Sequence, residues 1–371
     1  MQTPPARVGD SAADIETPAL VVDLDAFERN LDLMANALRG AAVALRPHGK
    51  AHKCPDIAFA QIERGAVGIC CQKVGEAEAF VAAGIRDVLV TNEIVGTAKL
   101  ARLAAMARQA KVGVLADDDG VVRDIGAAAS AAGVSISVLV EVNVGANRCG
   151  VASGAPAVGI AQAVARTRGL TFGGIHAYHG GAQHLRTPEA RRAAIAQAVS
   201  LARETKAAIE AAGIGCPKVT GAGTGTWQCE RDSGVYTEVQ PGSYVFMDGD
   251  YQKNALAPDQ HAFEQSLFVL ATVMSAPVRE RAVVDAGLKA FAVDSGLPEV
   301  YGVGGLSYVK ATDEHGTLAV APDVPAPAIG DRLWLVPGHC DPTVNLYDWI
   351  VGVRGTHVEC VWPVAARGAL A

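Results

Sequence analysis

The turn Arg46-Pro-His48-Gly-Lys50-Ala-His52-Lys53 sets an amine between two imidazoles. A lysine amine forms a Schiff base with a carbonyl, that of pyridoxal phosphate included. Desolvation and neighbouring cations would lower the Lys50 pKa and favour its nucleophilic form. Most lysines are simply solvated, so the turn gains meaning only beside a phosphate site. Gly221-Ala-Gly223-Thr224-Gly225-Thr226 offers one. Its glycines let backbone approach an anion, and successive N–H groups with threonine hydroxyls can cradle it. Ser243 and Tyr244 add further donors, although short glycine runs are also ordinary turns. His48 and His52 would pair on a metal if helical, but Pro47 and Gly49 oppose a helix. A second candidate is His339-Cys340-Asp341. In an extended segment His339 and Asp341 project to one face and Cys340 to the other. One imidazole and one carboxylate, completed by water, suit Mn²⁺ or Mg²⁺.

These groups need a frame that brings them to one place. Eight short apolar runs recur between residues 43 and 246: Val43–Arg46, Val67–Cys71, Asp87–Thr91, Lys111–Leu115, Ser135–Asn143, Leu170–Tyr178, Pro217–Gly221 and Glu238–Phe246. Helical stretches lie between most of them, at 55–64, 75–83, 97–109, 119–131, 155–167 and 188–212. The alternation predicts parallel βαβ units, and eight of them predict a (β/α)₈ TIM-type barrel. The open doubly wound alternative lacks its GxGxxG turn after the first strand. A helix starting near Asp25-Ala-Phe-Glu28, read as a capping box, precedes the first run. After about residue 260 the pattern turns to strands punctuated by Gly and Pro. The expectation is a barrel over 26–258 and a mainly-β domain made of 1–25 with 259–371. Active sites of such barrels lie past the carboxyl ends of the strands. The turns Arg46–Lys53 and Gly221–Thr226 and the Ser243-Tyr244 pair fall there, as do Asn143–Gly150 with Arg148 and Tyr178–His184 with His179, whereas His339–Asp341 belongs to the β domain.

Composition narrows the function. The 371 residues are 50% hydrophobic and 19% charged, enough for a large core and too apolar for disorder. Net charge is −7, and no Lys/Arg run exceeds two, which leaves no electrostatic footprint for nucleic acid or an anionic membrane. No apolar stretch spans a bilayer, and the first residues do not read as a signal peptide. The eight cysteines form no CxxC pair, so a reducing, cytoplasmic setting is expected.

Several longer motifs carry a resemblance. Thr17-Pro-Ala-Leu-Val-Val-Asp-Leu-Asp25, Arg46–Pro55, Gly68-Ile-Cys-Cys-Gln-Lys-Val74, Thr91-Asn-Glu93, Gly221–Gly225, Gly242-Ser-Tyr-Val-Phe-Met-Asp248 and Pro337-Gly-His-Cys-Asp-Pro-Thr343 resemble the D-threonine aldolase family, in order along nearly the whole chain. That family sits within the alanine-racemase-like group of pyridoxal phosphate enzymes, a phosphate-binding barrel followed by a β domain. The resemblance implies Lys50 as the cofactor lysine, Arg148 and Tyr178 beside the cofactor ring, and His184 as catalytic base. Gly223, Thr224, Gly225, Ser243 and Tyr244 are the expected phosphate cradle. His339 and Asp341 match the ligands of Mn²⁺ or Mg²⁺. The resemblance also implies a homodimer with the site at the subunit interface. The family's Gly-Gly-Gly-Thr-Gly reads Gly-Ala-Gly-Thr-Gly here, and a positive φ at Ala222 would be strained.

The implied reaction is cleavage of D-3-hydroxy-amino acids into glycine and an aldehyde. Stretches such as Asp294-Ser-Gly-Leu-Pro298 are most similar to a 3-hydroxyaspartate aldolase, whose products are glycine and glyoxylate. Related dehydratases carry His-x-Cys where this chain has His339-Cys-Asp341, which favours aldolase over D-3-hydroxyaspartate or D-serine dehydratase. Two further readings stay open: a non-catalytic pyridoxal-phosphate-binding protein, and a metal-dependent barrel hydrolase using His48, His52, His179 and His184.

Overall fold

The computed structural model describes residues 2–371. Its strands in chain order are β1 (Ala19–Asp23), β2 (Ala44–Leu45), β3 (Ile69–Cys71), β4 (Asp87–Glu93), β5 (Lys111–Ala116), β6 (Ile136–Glu141), β7 (Leu170–His176), β8 (Val219–Gly221) and β9 (Glu238–Val239). Then follow β10 (Leu267–Val278), β11 (Arg281–Val284), β12 (Glu299–Val300), β13 (Leu306–Ala311), β14 (Gly316–Val320), β15 (Arg332–Val336), β16 (Trp349–Arg354) and β17 (His357–Pro363). The helices are α1 (Leu24–Leu38), α2 (Pro55–Glu63), α3 (Val74–Ala83), α4 (Thr97–Met106), α5 (Asp119–Ala132), α6 (Ala155–Arg166), α7 (Pro188–Ala211), α8 (Trp227–Arg231), α9 (Gly249–Gln252) and α10 (Cys340–Val344).

Strands β2 to β9 form one parallel sheet in the order β2-β9-β8-β7-β6-β5-β4-β3. The ring closes beyond the short β2: Cys70 N–H donates to Pro47 O at 2.8 Å and Val67 N–H to Leu45 O at 2.8 Å. This is the eight-stranded barrel that the βα rhythm predicts. Cys70, Leu89, Leu115 and Leu139, one from each of β3 to β6, pack together in its interior. On the outer side, helix residues Phe80, Leu103, Ile125, Ile160 and Ile195 pack on the strands. A buried ion cluster fastens the first and last strands. Arg46 Nε lies 3.0 Å from Glu238 Oε2, its Nη1 2.7 Å from Asp87 Oδ1, and Lys218 Nζ 2.9 Å from the same Glu238 oxygen. Truncating one partner of such a buried pair costs about 3–5 kcal/mol, because the other charge is left uncompensated.

The second sheet is mainly antiparallel and has nine strands. Strand β1 enters it, antiparallel to β10 and parallel to β16, before the chain leaves for the barrel. Phe27, Leu31 and Met34 of α1 share one buried cluster with Phe246, Leu267, Leu335 and Cys340, so the sheet is welded to the barrel around its last strand. Among the described residues, no helix is long and apolar enough to cross a membrane.

Two local expectations fail for identifiable reasons, and one strand goes unread in the sequence. The run Glu238–Phe246 is a strand only at β9, because Pro241 has no N–H to donate and the chain then coils into a 3₁₀ turn, Ser243–Val245. The cap of α1 is Asp23, not Asp25: Asp23 Oδ1 accepts from Asp25 N at 3.0 Å and Ala26 N at 3.2 Å. Asp25 and Glu28 reach Arg354 instead. The two-residue β12 pairs with β15 and carries no alternation long enough to read.

Candidate active site

Past β2 the chain tightens into the 3₁₀ turn Gly49–Ala51, capped by the His48 side chain. Lys50 is its centre, and its Nζ lies 2.6 Å from Asp341 Oδ2 of the β domain. Ser243 Oγ lies 3.4 Å from the other Asp341 oxygen. The carboxylate beside Lys50 holds its ammonium above the usual lysine range. Burial alone would raise the Asp341 carboxyl, but Lys50 outweighs it and keeps Asp341 ionised well below the usual range. This reverses the expected lowering of the Lys50 pKa: its nearest charge is an acid from the other domain, not one of the flanking histidines. Lys53 is buried elsewhere, 3.4 Å from both Glu76 Oε1 and the Ala366 carbonyl.

A cavity opens at Lys50. Arg148, Tyr178, Gly223, Thr224, Ser243 and Tyr251 line it. The Arg148 guanidinium carbon is 5.7 Å from the centre of the Tyr178 ring. His176 borders the same cavity, fixed between Glu141 and Gln240 Oε1.

The glycine loop past β8 fits an anion at one atom above all. Thr224 Oγ1 is buried and has no hydrogen-bond partner among the described residues. A buried hydroxyl without a partner costs free energy unless a ligand supplies one. Gly225 is differently engaged: its N–H donates to Gln183 Oε1 at 3.0 Å. Gln183 Nε2 donates to Thr226 Oγ1 at 2.8 Å, and that hydroxyl donates to Glu230 Oε1 at 2.9 Å. Burial pushes the Glu230 carboxyl up to about 7. The loop is thereby braced from behind, while Gly223 and Thr224 face the cavity. Ser243 lines it too, but the Tyr244 side chain does not: it is buried, with its hydroxyl accepting from Gln61 Nε2 at 3.2 Å. Tyr244 can contribute only backbone to a phosphate, at the start of the 3₁₀ turn.

Ala222 adopts φ +69°, the strained conformation anticipated for it. A left-handed L-residue costs roughly 1–2 kcal/mol, part of which glycine's extra unfolded-state freedom offsets. Ala222→Gly is expected to raise unfolding stability by about 0.5–1 kcal/mol. A denaturant titration checks it, and a lower midpoint at equal m-value would contradict it.

His184 comes from the 3₁₀ turn Gly180–His184 and is exposed. Its Nδ1 lies 2.5 Å from Asp250 Oδ2, and its ring centre lies 5.7 Å from that of Tyr251. Arg186 grips the other Asp250 oxygen. Asp250 thus fixes the ring and leaves Nε2 for chemistry. Asp250 and Tyr251 were not among the sequence candidates. They sit on α9, which is stitched to the other domain: Gly249 N–H donates to Pro337 O at 3.0 Å and Asp250 N–H to Gly338 O at 3.1 Å.

The segment that carries His339 and Asp341 is not extended, as expected, but turns helical at Cys340. Asp248 Oδ2 accepts the Cys340 N–H at 2.9 Å and so starts α10. Pro342 lies in the first turn, where its missing N–H costs nothing. His339 remains extended at the N-cap, with its Nδ1 2.7 Å from Asp294 Oδ2. Two donors from one turn suit a hard cation that keeps several waters. The four-histidine reading finds no such support. His48 is engaged by Thr91 Oγ1 at 3.0 Å and Gln72 Nε2 at 3.1 Å, and burial keeps it neutral. Burial pushes His52 down to about 4. Among the described residues no three His, Cys, Asp or Glu side chains converge as a metal site.

Known proteins place this geometry. Residues 22–250 match the family described as alanine racemase, N-terminal domain, and residues 266–353 match the putative serine dehydratase domain. A D-threonine aldolase of Arthrobacter sp is 49% identical over 365 residues, 98% of this chain and 96% of that protein. A 3-hydroxy-D-aspartate aldolase of Paracoccus denitrificans (strain Pd 1222) is 47% identical over 370 residues, covering 98% and 95%. The crystal structure of D-threonine aldolase from Filomicrobium marinum superposes with a TM-score of 0.97 at 49% identity, over 99% of this chain and 100% of that one. With both domains matched, in order and nearly end to end, the chain belongs to the D-threonine aldolase family.

Proposed function

We propose that this protein is a pyridoxal-phosphate- and divalent-metal-dependent aldolase that cleaves D-3-hydroxy-amino acids to glycine and an aldehyde. The observation that carries this reading is the meeting of Lys50 and the unpartnered Thr224 hydroxyl around one cavity, with Asp341 of the β domain held against the Lys50 amine. The Lys50 amine is the group to hold the cofactor's carbonyl carbon. Thr224, the Gly223 backbone and Ser243 are placed to hold its phosphate, with Arg148 and Tyr178 beside its ring. Bound there, pyridoxal phosphate supplies an electron sink. A divalent cation held by His339 and Asp341 supplies Lewis acidity toward the substrate's β-hydroxyl.

The chain's own groups do the rest. Asp250 takes Nδ1 of His184, so Nε2 is the nitrogen that accepts the β-hydroxyl proton. As that proton leaves, the hydroxyl oxygen becomes the aldehyde oxygen and the Cα–Cβ bond breaks. Its electron pair stays with Cα, which takes up a proton to become glycine. Asp250, held in turn by Arg186, keeps the imidazole oriented through the transfer.

Incubation of the purified, cofactor- and Mn²⁺-supplied protein with D-threonine, D-phenylserine and D-3-hydroxyaspartate tests the reading. Glycine is expected from all three, with the matching aldehyde in equal amount and none from the L-enantiomers. No glycine from any of them would reject it. The relative rates identify the preferred side chain, including the case in which D-3-hydroxyaspartate, giving glyoxylate, is the best substrate.

A further inference from the structure

We propose that Asp294 is a positioning residue for cation binding, one that fixes which nitrogen His339 presents; this rests on the reading of His339 and Asp341 as cation ligands. The Nδ1 of His339 lies 2.7 Å from Asp294 Oδ2. A carboxylate accepts only, so Nδ1 carries the proton and Nε2 is the nitrogen whose lone pair a neutral ring would present to a cation. Only one ring nitrogen of a neutral imidazole can bind a metal, and a partner on the other sets the tautomer and ring angle.

The pair is built rather than incidental. Ala292 N–H, two residues before Asp294, donates to Thr343 Oγ1 at 3.2 Å, and that hydroxyl donates to the His339 carbonyl at 2.7 Å. Two residues after Asp294, the Gly296 backbone packs so closely on Gly338 that a Cβ at 338 would meet the Gly296 carbonyl at 2.3 Å. The loop before and after Asp294 is therefore tied to the turn before and after His339. Ser295 Oγ adds a hydrogen bond to the same Asp294 oxygen at 3.2 Å. Stability does not explain the pair, because an exposed ion pair contributes only about 0–1 kcal/mol. Orientation of His339 does. His184 and Asp250 repeat the arrangement, a carboxylate on Nδ1 with Nε2 left open.

The test is calorimetric titration of Mn²⁺ into cofactor-loaded, chelator-stripped enzyme. Asp294→Ala is expected to weaken Mn²⁺ binding about 10–100-fold, the usual loss when a histidine ligand loses its outer partner. Asp294→Asn, whose amide oxygen still accepts from Nδ1, is expected to lie closer to wild type. Both metal-free variants should melt with the wild-type protein, which separates positioning from a structural role. His339→Ala serves as the control and is expected to lose the site. Wild-type affinity in Asp294→Ala, with binding lost in His339→Ala, would overturn the role of Asp294 alone. Unchanged Mn²⁺ binding in both would overturn the cation site and the Asp294 role together.

Discussion

Lys50→Ala is expected to abolish cleavage, with a loss on the order of 10⁴–10⁶-fold, as when a covalent-catalysis residue is removed from a unit that works as a whole. The visible absorbance of the bound cofactor should vanish with it, and the fold should persist. Lys50 lies on a turn at the barrel rim, outside the packed interior, and its partner is a single carboxylate. Its loss leaves Asp341 without its cation, but the space the Lys50 side chain vacates is continuous with the cavity that Lys50 lines, so water or a metal can replace the ammonium. Circular dichroism and cofactor absorbance of the purified variant check both halves. If the variant keeps a yellow chromophore that borohydride fixes to the protein, Lys50 is not the cofactor lysine. Lys53 is then the next candidate, although it would have to leave Glu76 and the Ala366 carbonyl to serve.

Stripping divalent metal with EDTA is expected to have the second largest effect: cleavage stops while cofactor binding stays. The two sites use different atoms. In the proposed reading Lys50 and the Thr224 side of the cavity would serve the cofactor, whereas the proposed cation ligands His339 and Asp341 come from one turn of the β domain. Added Mn²⁺ or Mg²⁺ should restore turnover, since one imidazole and one carboxylate with several waters suit hard cations. Assay of the stripped enzyme before and after metal addition, with the cofactor spectrum recorded in parallel, checks it. Full activity in metal-free enzyme would remove the role given to His339 and Asp341.

The fold was legible because its signal is local and repeated. Most barrel strands are short apolar runs and most of the helices between them alanine-rich stretches, such as α7, which Thr187 and Pro188 open. The last strand misled because its apolar residues continue past Pro241 into the buried 3₁₀ turn, where Tyr244 and Phe246 serve the core instead of a ladder. The site was legible where a residue type implies its own chemistry: Lys50 in a polar turn, threonine among glycines, a His-x-Asp triplet. Partners distant in sequence were not. Asp250 lies 66 residues from His184, and Asp294 lies 45 from His339. Neither belongs to a spacing pattern. The same distance hid the sign of the Lys50 shift, because Asp341 is 291 residues away and only the packing of one domain on the other brings it to the amine. The turn at Cys340 escaped for a related reason: the Asp248 carboxylate that accepts its first N–H comes from the barrel.

The products released from D-3-hydroxyaspartate test the central claim most directly, because both an aldolase and a dehydratase on this scaffold could consume it. Glycine and ammonia are counted against substrate lost, using the cofactor-loaded, Mn²⁺-loaded enzyme. Cleavage of Cα–Cβ predicts one glycine and one glyoxylate for each substrate consumed, and no ammonia. One ammonia and one keto acid for each substrate, with no glycine, would mean that the β-hydroxyl leaves as water, and the aldolase account would give way to a dehydratase.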